Sequence, residues 1–174
     1  CGSRGLGLRD DAALLKPRSG CELVVTDDTL VAGVHFFADD PPASIARKAL
    51  RVNLSDLAAK GADAAGFVLS FAMPADTGAV MRTEAWLAAF SAALGAESVQ
   101  YTCPLLGGDT VTTPGPLTLS VTAFGFVPEG RMVLRTGAKA GYLVFVSGSI
   151  GDAALGLQAL LNPADWCPSL AGVH

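Results

Sequence analysis

The sequence predicts an α+β domain: a mixed β-sheet with two main helices on one face. Three observations carry this. Strand-like segments alternate with segments whose apolar residues recur at helical spacing. Further strand-like runs then follow one another, so the sheet combines neighbours of both orientations under a helical layer. Finally, 51% of the 174 residues are hydrophobic and only 16% are charged, an apolar surplus that suggests heavy burial, helped by an interface with another chain or with a further domain.

The elements follow in order along the chain. Glu22 to Thr26 is a short apolar run ending in Thr-Asp-Asp, which reads as a strand leading into a loop. Pro41 and Pro42 mark a helix start. From there Ile45, Ala49, Val52, Asp56 and Ala59 fall at helical spacing beside Ala46, Leu50, Leu57 and Lys60, and Gly61 supplies the stop. Gly66 to Met73 reads as a buried strand closed by Pro74. A second helix is expected from about Val80 to Leu94, with Val80, Leu87, Phe90 and Leu94 on one stripe and Gly95 at its end. Three strand-like runs come next: Val99 to Leu106, Leu117 to Val127 and Tyr142 to Ser147. The first ends in Gly107-Gly108-Asp109-Thr110; the third leads through Gly151 into a helix from about Asp152 to Leu161. The second face of the sheet is expected to meet a second copy of the chain. The tail from Asn162 to His174, with Pro163 and Pro168, does not end like a domain, so the chain is expected to be a fragment.

Composition excludes several functions. A net charge of −4 without Lys/Arg clusters removes the cations that nucleic-acid binding needs. Disorder is excluded by the high apolar content. A mean hydropathy of +0.44 raises the question of a membrane span, but no uninterrupted apolar run of about 18 residues exists. The longest candidate, Tyr142 to Leu161, is broken by Ser147, Gly148, Ser149, Gly151 and Asp152. At the N-terminus Arg4 and Arg9 run into Asp10 and Asp11 without the apolar stretch of a signal peptide. Cys1, Cys21, Cys103 and Cys167 have no metal-binding spacing and read as reduced thiols of a cytoplasmic protein.

The acids are few but oddly placed. Asp10-Asp11, Asp27-Asp28 and Asp109 lie at expected strand or loop ends beside small residues, and Asp56 sits in the first helix with Asn53 and Lys60 on its face. Taken singly, Asp-Asp and Gly-Gly-Asp are ordinary turn sequences, and Asp56 is an ordinary solvated helix residue. Taken jointly, converging carboxylates repel: a pair about 4 Å apart costs about 4 kcal/mol at an effective dielectric near 20, so the cluster would need a cation. Oxygen-only ligands point to Mg²⁺ or Ca²⁺, and Mg²⁺ held by a few carboxylates characteristically carries substrate phosphates. Gly107-Gly108 offers backbone N–H donors to such phosphates, and Arg135 a guanidinium fork. His35, flanked by Val34 and Phe36, reads either as a satisfied structural side chain or as a functional group near the acidic loop. Composition and spacing lead to Mg²⁺-dependent phosphate chemistry and no further; no Walker A motif, kinase glycine loop or nucleophile elbow is present.

At this point the residues resemble a known family. Asp10-Asp11-Ala12-Ala13-Leu14, the run from Thr26 to Phe36 (TDDTLVAGVHF), the run from Lys48 to Ala59 (KALRVNLSDLAA), Gly107-Gly108-Asp109-Thr110, and Arg135-Thr136-Gly137-Ala138-Lys139 look like the thiamine-monophosphate kinase family, in order over nearly the whole chain. That family belongs to the aminoimidazole-ribotide synthetase, or PurM-like, superfamily. The resemblance implies a PurM-like N-terminal ATP- and metal-binding domain over residues 1–140, with 141–174 the truncated start of a C-terminal domain. It implies sheets that pair into a barrel across a homodimer. It implies Mg²⁺-dependent, in-line phosphoryl transfer from ATP to thiamine monophosphate, with no catalytic base because the acceptor is already an oxyanion. Carried over position by position, Asp11, Thr26, Asp28, Asp56 and Asp109 match metal ligands, and Gly108, Asp109 and Arg135 match ATP contacts. His35 matches a substrate contact. Asp27, where a second Thr or Ser is usual, is carried over as an altered ligand. Arg9 replaces a usual Gly, and Ser91 stands where some members place a nucleotide-contacting Tyr. The family's second domain, with a further Asp-rich motif, does not follow His174, so the isolated chain is expected to be weakly active or inactive. The alternatives are a non-catalytic nucleotide-binding dimerisation module, or another superfamily enzyme such as selenophosphate synthetase. The latter usually pairs a reactive Cys or selenocysteine with a nearby Lys, which Cys1 lacks.

Overall fold

The computed structural model describes residues 10–75 and 84–163. These fall into two compact units divided between Arg135 and Thr136. In the first unit the order is β1 (Cys21–Val31), α1 (Pro42–Ala59), β2 (Asp63–Pro74), α2 (Glu84–Gln100), β3 (Leu105–Thr113) and β4 (Thr118–Pro128). The four strands form one sheet in the order β1-β4-β2-β3. β4 runs antiparallel to both β1 and β2, while β2 and β3 are parallel, so the sheet is mixed as expected. The parallel pair needs a long crossover, and α2 lies on it.

Strand alternation sorts side chains between the two faces. Leu119, Val121 and Ala123 of β4 are buried, and their register partners Leu30 on β1 and Phe67 and Phe71 on β2 join them in one core. α1 covers this face with Ile45, Ala46, Ala49, Leu50 and Leu57, and touches β1, β4 and β2. Pro42 opens the helix, and its end is a Schellman turn: Gly61 N–H donates to Ala58 C=O and Ala62 N–H to Leu57 C=O, with Gly61 at φ +72°. α2 packs beside α1 on the same side. Its Phe90 stacks on Trp86 at 5.4 Å between ring centroids and meets Phe71 edge-on at 5.3 Å. Between the helices, Glu97 is buried and accepts two hydrogen bonds from Arg51, from Nε at 2.6 Å and Nη2 at 2.8 Å. The guanidinium holds the Glu97 carboxyl below its ordinary range although burial opposes this.

Four expectations need correction. The first strand does not stop at Thr26: β4 supplies partners along all of β1, from Cys21↔Pro128 to Val31↔Thr118, so Asp27 and Asp28 lie in the ladder and not in a loop. The second helix does not end at Gly95, and no strand begins at Val99. Burial of Leu94 and Glu97 carries α2 to Gln100 and outweighs the cost of a helical glycine, about 1 kcal/mol. The strand then runs from Leu105 to Thr113, so Gly107 to Thr110 pair with β2. The expected start of that helix at Val80 lies outside the described residues. In the second unit, residues 142–147 form no strand among the described residues. Their backbone groups have no partner strand there, and Val144 and Phe145 are exposed. The helix expected from Asp152 to Leu161 is present as α3 (Asp152–Leu161), with Asp152 in its first turn where the helix dipole favours an acid. Among the described residues no helix is long and apolar enough to cross a membrane.

Candidate functional site

A cavity of about 970 Å³ opens between α2, the β2–β3 edge and the segment at Asp10–Ala13. Its size is that of a small-molecule site. Leu69, Phe71 and Leu87 give it an apolar wall, and Asp11, Gly108 and Asp109 also line it. Ser91 also lines it, from α2. Gly108 is required by close approach: a Cβ there would stand 1.9 Å from Leu69 O. The glycine therefore lets the β3 backbone lie close against β2 beside the cavity. Asp109 Oδ1 accepts from Thr110 N–H at 2.8 Å, and Asp10 Oδ1 from Asp11 N–H at 2.9 Å.

A second set of oxygens is built where β1 meets α1. Thr26 donates its hydroxyl to Asp56 Oδ2 at 3.2 Å. Asp28, two residues on, shares the face of Thr26, because their register partners Val121 and Ala123 are both buried under α1. Asn53 is fully buried one turn before Asp56 and donates to Ala49 C=O at 3.1 Å. It is a core residue rather than a companion of Asp56 on an exposed face.

Asp27 points the other way. Its register partner is Thr122, and its carboxylate accepts from Thr122 Oγ1 and, at 3.2 Å, from Ser120 Oγ. Side chains alternate along a strand, so the Asp27 side chain lies on the face of the sheet opposite to that of Asp28. His35 sits in the turn after β1, its Nδ1 accepting from Val31 N–H at 3.0 Å. Arg135 is exposed and is not among the residues lining the cavity. Residues that the sequence pattern left unremarked complete this picture. Ser120 and Thr122 read only as alternating strand hydroxyls until β4 is set beside β1, and Lys48, which donates to His35 C=O, lies thirteen positions away from its acceptor.

The predicted acids thus fall into two sets: Asp11 and Asp109 both line the cavity, and Thr26, bonded to Asp56, shares a sheet face with Asp28. Among the described residues no three His, Cys, Asp or Glu side chains converge into a complete metal cage. Both sets offer oxygen alone. That fits Mg²⁺, which is commonly held by one or two carboxylates together with waters and substrate phosphates.

Comparison with known proteins places this arrangement in a class. Residues 9–127 match the family of AIR synthase related proteins, N-terminal domain, and the chain belongs to that family. Within it, the chain is similar to thiamine-monophosphate kinases. The one from Caulobacter vibrioides is 47% identical over 154 residues, which cover 88% of this chain and 42% of that protein. The crystal structure of thiamine-monophosphate kinase from Stenotrophomonas maltophilia K279a superposes with a TM-score of 0.81 at 44% identity, covering 91% of this chain and 48% of that one. AaThiL complexed with AMPPCP and TMP superposes with a TM-score of 0.77 at 30% identity, covering 94% of this chain and 50% of that one. The chain spans less than half the length of the curated relatives it matches.

Proposed function

We propose that the protein acts as a thiamine-monophosphate kinase and that this chain contributes its nucleotide- and metal-binding domain. One observation carries the reading. The cavity rimmed by Asp11, Gly108 and Asp109 lies in a chain whose fold is shared with AaThiL, a protein solved with an ATP analogue and TMP.

In the proposed reaction a phosphate oxygen of thiamine monophosphate attacks the γ-phosphorus of ATP. The new P–O bond forms as the bond to the β–γ bridging oxygen breaks, giving thiamine diphosphate and ADP. The attacking oxygen is already an anion, so the domain supplies no base. Its work is alignment and screening of charge. Leu69, Phe71 and Leu87 offer an apolar wall to the nucleotide, Gly108 backbone to its phosphates, and Arg135 a further cationic contact. Asp11, Asp109, Thr26, Asp28 and Asp56 are the proposed Mg²⁺ ligands, while Asp27 is left to the sheet. When bound, Mg²⁺ neutralises phosphate charge that these acids would otherwise repel. His35 is the proposed contact to thiamine monophosphate.

We further propose a cytoplasmic homodimer paired through the sheet face that α1 leaves open. Leu23 and Val25 stand half-exposed on that face, opposite Phe126 and Phe124 of β4. The test supplies ATP, Mg²⁺ and thiamine monophosphate to the full-length protein and follows thiamine diphosphate by mass spectrometry. Its formation is expected. Binding of AMPPCP without any thiamine diphosphate would reduce the protein to a nucleotide-binding module.

A further inference from the structure

The turn after β1 holds the His35 ring by its own backbone. Val31 N–H donates to His35 Nδ1 at 3.0 Å, and His35 N–H donates to Val31 C=O at 2.9 Å. Gly33, at φ +79°, supplies the left-handed residue the turn needs, and its N–H donates to Phe36 C=O at 2.8 Å. From α1, Lys48 Nζ reaches across to the His35 carbonyl.

A ring nitrogen that accepts a hydrogen bond carries a lone pair, so the neutral imidazole bears its hydrogen on Nε2. The side chain is exposed, and among the described residues no hydrogen bond uses Nε2. The turn thus presents one outward N–H donor. Such a group stabilises an anionic oxygen and cannot take a proton at Nε2.

We propose that Lys48 is a positioning residue which, with the Val31 amide, locks His35 as an Nε2–H donor to a phosphate oxygen of the substrate. This rests on the reading that thiamine monophosphate docks beside His35. Lys48 acts through the carbonyl of His35: tethering that carbonyl to α1 keeps the turn closed, and the closed turn keeps Val31 N–H on Nδ1.

Imidazole ¹⁵N NMR of the full chain tests the lock directly, since the sequence has only two histidines. The Nε2–H tautomer is expected for His35. Lys48→Met should mix in the Nδ1–H tautomer and speed exchange of the Val31 amide, and Lys48→Arg should restore both signals. An Nδ1–H tautomer in the unaltered protein would overturn the proposal, as would Lys48→Met leaving a folded protein with His35 signals unchanged. If Lys48→Met fails to fold, the tautomer of the unaltered protein and of Lys48→Arg still decides. Thiamine monophosphate is then titrated by calorimetry and by NMR. Binding that moves the Nε2–H signal, and that His35→Ala weakens about tenfold, supports the donor role. Binding with that signal unmoved refutes the role, whereas no binding heat at all is a failure of the functional reading.

Discussion

Asp27 and Asp28 are adjacent in the chain and occupy opposite faces of the sheet. Asp28 pairs in register with Val121, on the side covered by α1 and shared with Thr26. Asp27 pairs with Thr122 and is held by Thr122 and Ser120 on the other side. The two carboxylates therefore belong to different surfaces. Asp28→Asn is expected to weaken Mg²⁺-dependent AMPPCP binding at least about tenfold, while Asp27→Asn keeps it within about twofold. Isothermal titration calorimetry of both variants checks this, and equal losses would contradict the face assignment.

Thr26→Val separates the hydroxyl from the shape of the side chain. It removes the donor to Asp56 and keeps a β-branched residue in β1. The bond is exposed, so thermal stability should change by no more than about 1 kcal/mol. Mg²⁺-dependent AMPPCP affinity should fall at least about fivefold, because the proposed metal site loses the Thr26 oxygen and Asp56 loses the group that orients it. A large drop in melting temperature with unchanged affinity would assign the contact to stability instead.

Gly108→Ala tests the close approach of β3 to β2. The added methyl would meet Leu69 O at 1.9 Å, and backbone on both strands would have to shift. A loss of about 3 kcal/mol is expected in urea unfolding, within the range of strained backbone sites. Gly107→Ala serves as the control, since a Cβ there meets nothing within 4 Å.

Glu97 gives the first unit a pH signature. Its carboxyl is held below its ordinary value, chiefly by the hydrogen bonds from Arg51. A carboxyl whose folded-state value is depressed contributes stability that is complete above its unfolded value, ordinarily 4.5, and is lost as pH falls through the depressed folded value. Unfolding followed from pH 7 to pH 3 should therefore show a loss at the acid end that Glu97→Gln flattens. At pH 7 that variant should be about 2 kcal/mol less stable, because two charge-assisted bonds go and Arg51, half-exposed, recovers water.

Much of this protein is legible in its sequence because the signals are local. Pro41-Pro42 and Gly61 bracket α1 by the backbone angles those residues accept, and the apolar stripe from Ile45 to Leu57 declares which side of it is buried. Asp152 to Leu161 is a helix on local grounds alone. The acids and the Gly107-Gly108-Asp109 run are equally visible, and with them the oxygen-and-phosphate character of the chemistry. What remained undecided depends on partners distant in the chain. Whether Asp27 lies in a loop or a strand is settled by β4, nearly a hundred residues later, whose ladder extends β1 to Val31. Whether a glycine ends a helix is settled by what lies beyond it, and the burial of Leu94 and Glu97 carries α2 past Gly95. Sequence determined the residue types and their periodicities; tertiary pairing alone decided register. Because side chains alternate along a strand, register is what puts Thr26 and Asp28 on the face that α1 covers and Asp27 on the other.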